Sequence, residues 1–274
     1  SLVGSEMCIR DRPEGDVVKK IAQIKQVSLN NPFALLRELG GECAGAVSLY
    51  PQDMAPIFDD TLEEISEEEL ATLLNKLSQT PLLTGEGIRL SLAGAQEKLA
   101  LTIFPDDDKY YKPSDKYIST WILKPENRNF PDLIYNEYFC MKLAGLMELN
   151  VATSKIKKFG SVTAYMTKRF DRQNTIQRIQ QEDFCQGLGL SNKKYQRTEG
   201  GPSLKQCFQF IHNNLANKAK DELHFLKSIA FNFLIGNSDA HGKNFSYLHT
   251  VNGYVLAPLY DLSLIHISEP TRLQ

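Results

Sequence analysis

The sequence predicts an α+β fold in two lobes, strand-rich first and helical second. Three observations carry that expectation. Strand-like runs concentrate before about Phe170, helical periodicity dominates after it, and no internal repeat is present. With 274 residues and 42% hydrophobic content, the chain buries roughly 75% of its unfolded surface and forms ample core. Pro32–Pro51 (PFALLRELGGECAGAVSLYP) reads as a short apolar-periodic helix, a Gly-Gly break and a strand. Glu63–Leu77 reads as a helix whose acidic first turn suits the positive end of the dipole. Thr80–Gly87 (TPLLTGEG) is a linker. Strands follow at Ile88–Leu92, Lys98–Phe104 and Ser119–Lys124, with a turn at PDDDKYYKPSD. A helix covers Leu133–Leu146, and Val162–Phe170 is a further strand. Helical periodicity then covers Glu182–Gly187, Ser203–Asn213 and Leu223–Ile235, and two short strands, Phe245–His249 and Tyr254–Ala257, come near the end.

Composition narrows the function classes. Lys plus Arg is 31 and Asp plus Glu is 33, a net charge of −2, so the totals call for neither nucleic acid nor an anionic membrane. The five cysteines are widely spaced and without a Cys-x-x-Cys pair, which argues against a disulfide framework or structural zinc. No apolar run of about 18 residues is present for a membrane span, and a cytoplasmic setting is the expectation. The end segments 1–12 (SLVGSEMCIRDR) and 263–274 (SLIHISEPTRLQ) resemble translated sequencing-adapter sequence and are set apart as artefacts.

The segment richest in chemistry is NSDAHGKNF, directly after the apolar run FLKSIAFNFLIG. Asp239 and Asn244 stand in an Asp-x-x-x-x-Asn spacing, the one protein kinases use: the Asp accepts a hydroxyl proton, and the Asn oxygen ligates a hard cation. His241 and Lys243 lie between them as groups for a γ-phosphate. Asp261, in APLYDLS, supplies a second cation ligand. Lys124 ends an apolar strand and Glu137 follows on the next helix, a Lys–Glu pair of the kind that holds α/β-phosphates. Gly94, between Ala93 and Ala95, lets backbone N–H groups approach an anion, although SLAGAQEKLAL matches neither common phosphate-loop pattern. Each feature also has a bland reading: a helix-ending turn, an Asx turn, a surface lysine.

Taken together, SLAGAQEKLAL, WILKP, YNEYFCMKLA, KRFDR, QEDFCQGLGL, EGGPS, LIGNSDAHGKNF and LAPLYDLS resemble, in order and spacing, the HipA-like kinases, toxins of HipBA-type toxin–antitoxin modules. The resemblance runs from about Pro32 to Leu262. It implies a bilobal protein-kinase-like fold, with 13–80 an N-terminal HipA-like subdomain, 81–170 a kinase N-lobe and 171–262 an incomplete C-lobe. It further implies serine/threonine protein kinase activity with ATP and Mg²⁺, and a HipB-like DNA-binding antitoxin through which DNA is met. The substrate it implies is a protein, of which aminoacyl-tRNA synthetases are the familiar kind, with no membrane partner.

Residue by residue, the resemblance makes Asp239 the catalytic base and Asn244 and Asp261 the metal ligands, with Tyr260, His241 and Lys243 beside the nucleotide. Lys124 becomes the phosphate-binding lysine, supported by Glu137. Ala93, Gly94, Ala95, Gln96, Glu97 and Lys98 become the phosphate loop, and Ser91 the site of inhibitory autophosphorylation. Lys168, Arg169 and Phe170 become the adenine hinge, where Lys168 stands in place of the family's usual Glu. Two alternatives stay open: a catalytically dead kinase module that binds an antitoxin, and a metal-dependent hydrolase drawing on His212, His224, His241, His249 or His266 with Asp239.

Overall fold

The computed structural model describes residues 60–79, 98–126, 132–190, 200–237 and 239–264, with the run 26–31 and scattered residues between 19 and 58. Its contacts divide the chain into two discontinuous units, Ser1–Arg128 with Lys155–Arg178 and Asn129–Ser154 with Ile179–Gln274. The segment 81–170, read above as one lobe, is therefore split: its helix belongs with the second unit. Most of the helix–break–strand reading at Pro32–Pro51, and the strand at Ile88–Leu92, lie outside the described residues.

In the first unit a two-residue strand β1 (Glu64–Ile65) pairs antiparallel with β3 (Tyr110–Tyr111). Helix α1 (Glu67–Gln79) begins after β1 rather than at Glu63, because Ser66 and Glu69 close a capping box. The Ser66 Oγ accepts the Glu69 N–H at 3.2 Å, and the Glu69 carboxylate accepts the Ser66 N–H at 2.9 Å. Leu70, Leu74 and Leu77 recur at helical spacing on the buried face of α1. They join a core with Leu99, Leu101, Leu123, Phe159, Ala164 and Met166. Those partners come from a four-stranded sheet of order β2-β4-β6-β5, built from β2 (Leu99–Leu101), β4 (Trp121–Pro125), β5 (Ser154–Phe159) and β6 (Val162–Lys168). Strand β4 is central, antiparallel to both neighbours, with Lys124 opposite Tyr165.

After β6 the chain turns through a buried ion cluster. Asp171 accepts from Arg169 Nε at 3.0 Å and Nη2 at 2.7 Å, from Arg172 Nη1 at 2.8 Å, and from the Gly45 N–H at 2.8 Å. Burial alone raises this carboxyl, but the two guanidiniums and the N–H bond outweigh it and hold the group well below the usual carboxylate range. Arg172 also donates to the Gly45 carbonyl at 2.9 Å, so the KRFDR motif ties the N-terminal segment to the sheet.

The second unit contains α2 (Leu133–Leu146), α3 (Phe184–Gly187), α4 (Leu204–Asn214) and α5 (Lys218–Leu234). A three-stranded antiparallel sheet, β7 (Gln181–Asp183), β8 (Ser246–Thr250) and β9 (Gly253–Leu256), completes it. The helical reading of Glu182–Gly187 is corrected at its start: Gln181–Asp183 is strand, and Asp183 caps α3 in a capping box with Gln186. Ser203 caps α4 in the same way. Aromatic rings bind these elements together. Phe184 on α3 lies 5.6 Å from Phe210 and 5.4 Å from Phe225, and Phe225 lies 5.1 Å from Phe245 at the entry to β8.

Candidate active site

Helix α5 ends where its sequence says it must. Gly236 adopts φ 70°, the left-handed conformation that suits glycine at a helix terminus. The Gly236 N–H donates to the Phe233 carbonyl at 3.1 Å and the Asn237 N–H to the Asn232 carbonyl at 2.9 Å, a Schellman closure. That turn reverses the chain and presents Asn237 inward, where its Nδ2 donates to buried Asn232 Oδ1 at 2.7 Å. The Asn237 Oδ1 in turn accepts the Asp239 N–H at 3.2 Å, an Asx turn that sets where Asp239 emerges. Neither asparagine was singled out from sequence. The available signal was a polar Asn inside an apolar last turn, FNFLIGN, where a buried amide needs a partner.

A single 3-10 turn, Gly242–Asn244, follows. His241 caps it, its Nδ1 accepting the Lys243 N–H at 3.3 Å, while Asn244 Oδ1 accepts the His241 N–H at 3.2 Å. Gly242 is buried, and a Cβ there would stand 2.6 Å from Cys185 Sγ and 2.6 Å from Pro202 Cγ, so only glycine lets the loop seat against α3. The Asp239 carboxylate is half exposed, 3.8 Å from His241 Nε2. Desolvation raises its pKa most, the Asp261 charge raises it further, and His241 opposes both.

Asp261 arrives from the far side. Leu259 pairs with the loop after α2, donating its N–H to Asn150 at 2.8 Å and accepting from Ala152 at 2.9 Å. Asn136 on α2 holds Leu264, in the segment 263–274 set apart above on sequence, through both backbone groups, at 2.7 and 3.2 Å. Between these clamps Asp261 sits exposed at φ 56°, a conformation that Asp tolerates better than most residues. Tyr260 bonds to the Lys243 carbonyl at 2.7 Å and to Ser246 Oγ at 2.6 Å. Asp239, His241, Lys243, Asn244, Tyr260 and Asp261 thus belong to one unit, in which hydrogen bonds link His241 to Lys243 and Asn244, and Tyr260 to Lys243. Asn244 and Asp261 offer hard oxygen donors, and a cation at Asp261 offsets the charge that burdens Asp239, so this donor set suits a divalent cation. Among the described residues no group of three or more His, Cys, Asp or Glu side chains is arranged to hold a metal. His212 pairs with Glu222 and His249 lies 3.0 Å from Glu182, while His266 is outside the described residues.

The other residues singled out from sequence belong to different places. Lys124 is 4% exposed on the central strand β4, its ammonium 5.7 Å from the Tyr165 ring centroid, so it is no surface lysine. Lys98 precedes β2 and is partly buried. Glu137 is buried on α2 of the second unit. Burial first, and its charge second, push the Cys140 thiol up to about 11. Lys168 is exposed at the end of β6, and Phe170 is partly buried in the turn beyond it. The Arg169 side chain is committed to Asp171 and to Ser119 Oγ, 2.8 Å away, and its N–H donates to the Thr120 carbonyl. Ser91 and Ala93–Glu97 lie outside the described residues.

Comparison with known proteins gives the arrangement its family. Residues 90–273 match the HipA-like C-terminal domain, more than half of the chain. The chain belongs to the HipA-like family. Residues 7–50 match the HipA N-terminal domain as well. This HipA-like chain is 34% identical over 273 residues to the serine/threonine-protein kinase toxin HipA of Shewanella oneidensis, covering 94% of this chain and 62% of that protein. It is 41% identical over 251 residues to the putative kinase Y4mE of Sinorhizobium fredii, covering 88% and 59%. Among solved structures, the Shewanella oneidensis HipA, HipB and operator DNA complex matches with a TM-score of 0.79 and 31% identity over 96% of this chain and 64% of that one. The chain therefore spans about three fifths of the length of these relatives. Among the described residues no helix is long and apolar enough to cross a membrane.

Proposed function

We propose that this HipA-like chain carries the catalytic core of a serine/threonine protein kinase that transfers the ATP γ-phosphate to a protein hydroxyl. The observation that carries the reading is that Asp239, Asn244 and Asp261 fall in one unit, with the Asp261 charge acting on Asp239, within a chain 34% identical to a kinase toxin. Asp239 takes the hydroxyl proton as its oxygen attacks. Its raised pKa makes it a stronger base than an ordinary carboxylate. Asn244 and Asp261 are the residues that would hold Mg²⁺, which supplies charge neutralisation at the phosphates. Lys124 is the proposed phosphate-binding lysine; its near-complete burial on a central strand favours a functional over a solubilising role. Ala93–Lys98 is the proposed phosphate loop, Lys168–Phe170 the proposed hinge, and Ser91 the proposed autophosphorylation site.

The partner proposed is a HipB-like antitoxin, because the matched structure is a complex of HipA with HipB and operator DNA. An aminoacyl-tRNA synthetase is the proposed class of substrate. Incubation with Mg·ATP followed by mass spectrometry tests the assignment: a phosphate on Ser91 or on an added synthetase supports it. Absence of Mg²⁺-dependent ATP binding by calorimetry sinks it.

A further inference from the structure

We infer that Tyr260 is a positioning residue whose hydroxyl sets the spacing between Asn244 and Asp261, an inference that rests on the proposed metal role of that pair. The directions of its hydrogen bonds follow from proton counting. The Lys243 carbonyl only accepts, so Tyr260 spends its one O–H there, at 2.7 Å. The contact to Ser246 Oγ at 2.6 Å must then be donated by Ser246. Ser246 Oγ in turn accepts from Gln181 Nε2 at 3.1 Å. The result is one directed chain from the β7 amide through two hydroxyls to the Lys243 carbonyl, and Ser246 in its middle is 2% exposed.

Its end point matters more than its length. The Lys243 carbonyl belongs to the peptide unit that also carries the Asn244 N–H, and that N–H donates to the His241 carbonyl at 3.0 Å. The peptide plane before Asn244 is thus gripped on both edges, by Tyr260 on its oxygen and His241 on its hydrogen. Tyr260 is also covalently joined to Asp261, which adopts a left-handed φ of 56°. One side chain therefore connects the backbones of both proposed cation ligands. A divalent ion, which demands near-fixed ligand separation, is the species that senses slack in this strut.

Tyr260→Phe deletes the hydroxyl and keeps the ring, and Ser246→Ala removes the middle link. Thermal melts first verify that both variants fold. Affinity for Mn²⁺ alone, a hard divalent probe, is then measured by calorimetry beside affinity for ATP without metal. Tyr260→Phe is expected to weaken Mn²⁺ binding about three- to tenfold, the factor of one lost hydrogen bond, and metal-free ATP affinity by less. Ser246→Ala should shift Mn²⁺ binding in the same direction by less. Unchanged Mn²⁺ affinity in Tyr260→Phe overturns the inference, as does an equal loss of metal-free ATP affinity, which would make Tyr260 a nucleotide contact. A wild-type chain that binds Mn²⁺ but not ATP refutes the kinase reading and leaves Tyr260 to be judged by its Mn²⁺ ratio. One that binds neither overturns both.

Discussion

Gly242→Ala is a one-methyl perturbation whose consequence follows from the packing around the catalytic loop. The new Cβ would stand 2.6 Å from Cys185 Sγ, 2.6 Å from Pro202 Cγ and 3.0 Å from Pro202 Cδ, distances that real side chains do not sustain. Neither neighbour is the far end of a long flexible side chain, and Cys185 is held in the aromatic core by α3. The loop must therefore lift, carrying Lys243 and Asn244 with it. Overpacking of this kind costs about 1–3 kcal/mol. In a chain of this size each kcal/mol lowers Tm by roughly 2–4 °C. Thermal unfolding followed by circular dichroism measures the loss, and Mg²⁺-dependent ATP affinity should fall with it. Adding Cys185→Ala removes one of the two clashes, so the double variant should be more stable than the sum of the two single changes implies. A Gly242→Ala chain melting within about 1 °C of wild type, by the same scale, would refute the claim that the loop is seated tightly on α3.

Other expectations follow from charge and burial. Asp171→Asn leaves two buried guanidiniums without their carboxylate and should cost roughly 3–5 kcal/mol in a urea titration, a loss under 1 kcal/mol contradicting it. Because that carboxyl is depressed in the folded state, its contribution is complete above the unfolded value of about 4 and is lost only as pH falls below it toward the folded value. Lys124→Met keeps the volume and removes the charge; ATP affinity should drop with Tm little changed, and unaltered affinity would make the lysine structural. Since desolvation raises Asp239, the acid limb of the rate profile should lie above that of an ordinary aspartate. Replacing His241 by Gln removes the opposing charge and should move that limb further upward; a downward move would invert the assigned electrostatics.

Legibility from sequence tracked how local each determinant was. The helix Leu133–Leu146 is read to its last residue, because LIYNEYFCMKLAGL carries no proline, its one glycine, Gly145, falls in the last turn, and the left-handed Glu148 lies just beyond. Strand β5 escaped because SKIKKF has three lysines. It is an edge strand, where charge is tolerated, and Lys155 and Lys157 lay their ammoniums over Trp121, Tyr110 and Phe159. The strand at Gln181–Asp183 was absorbed into a helix although Asp183-x-x-Gln186 spelled a capping box that dates the helix start. At the site, Asp239, Asn244 and Asp261 were visible as chemistry-bearing types at telling spacings. Asn232, Asn237, Ser246 and Gln181 were not, since their roles are contacts that only folding creates. The buried pairing of the Arg169 guanidinium with Asp171 is likewise a contact that only folding creates.

Transfer of labelled γ-phosphate from Mg·ATP, measured beside ATP affinity in wild type, Asp239→Asn and Asp261→Asn, tests the kinase assignment most directly. Asp239→Asn should bind Mg·ATP like wild type while transfer falls by at least about 10²-fold, because only the base is lost. Asp261→Asn should lose transfer together with the Mg²⁺-dependent part of the affinity. Transfer by Asp239→Asn at the wild-type rate would contradict the account.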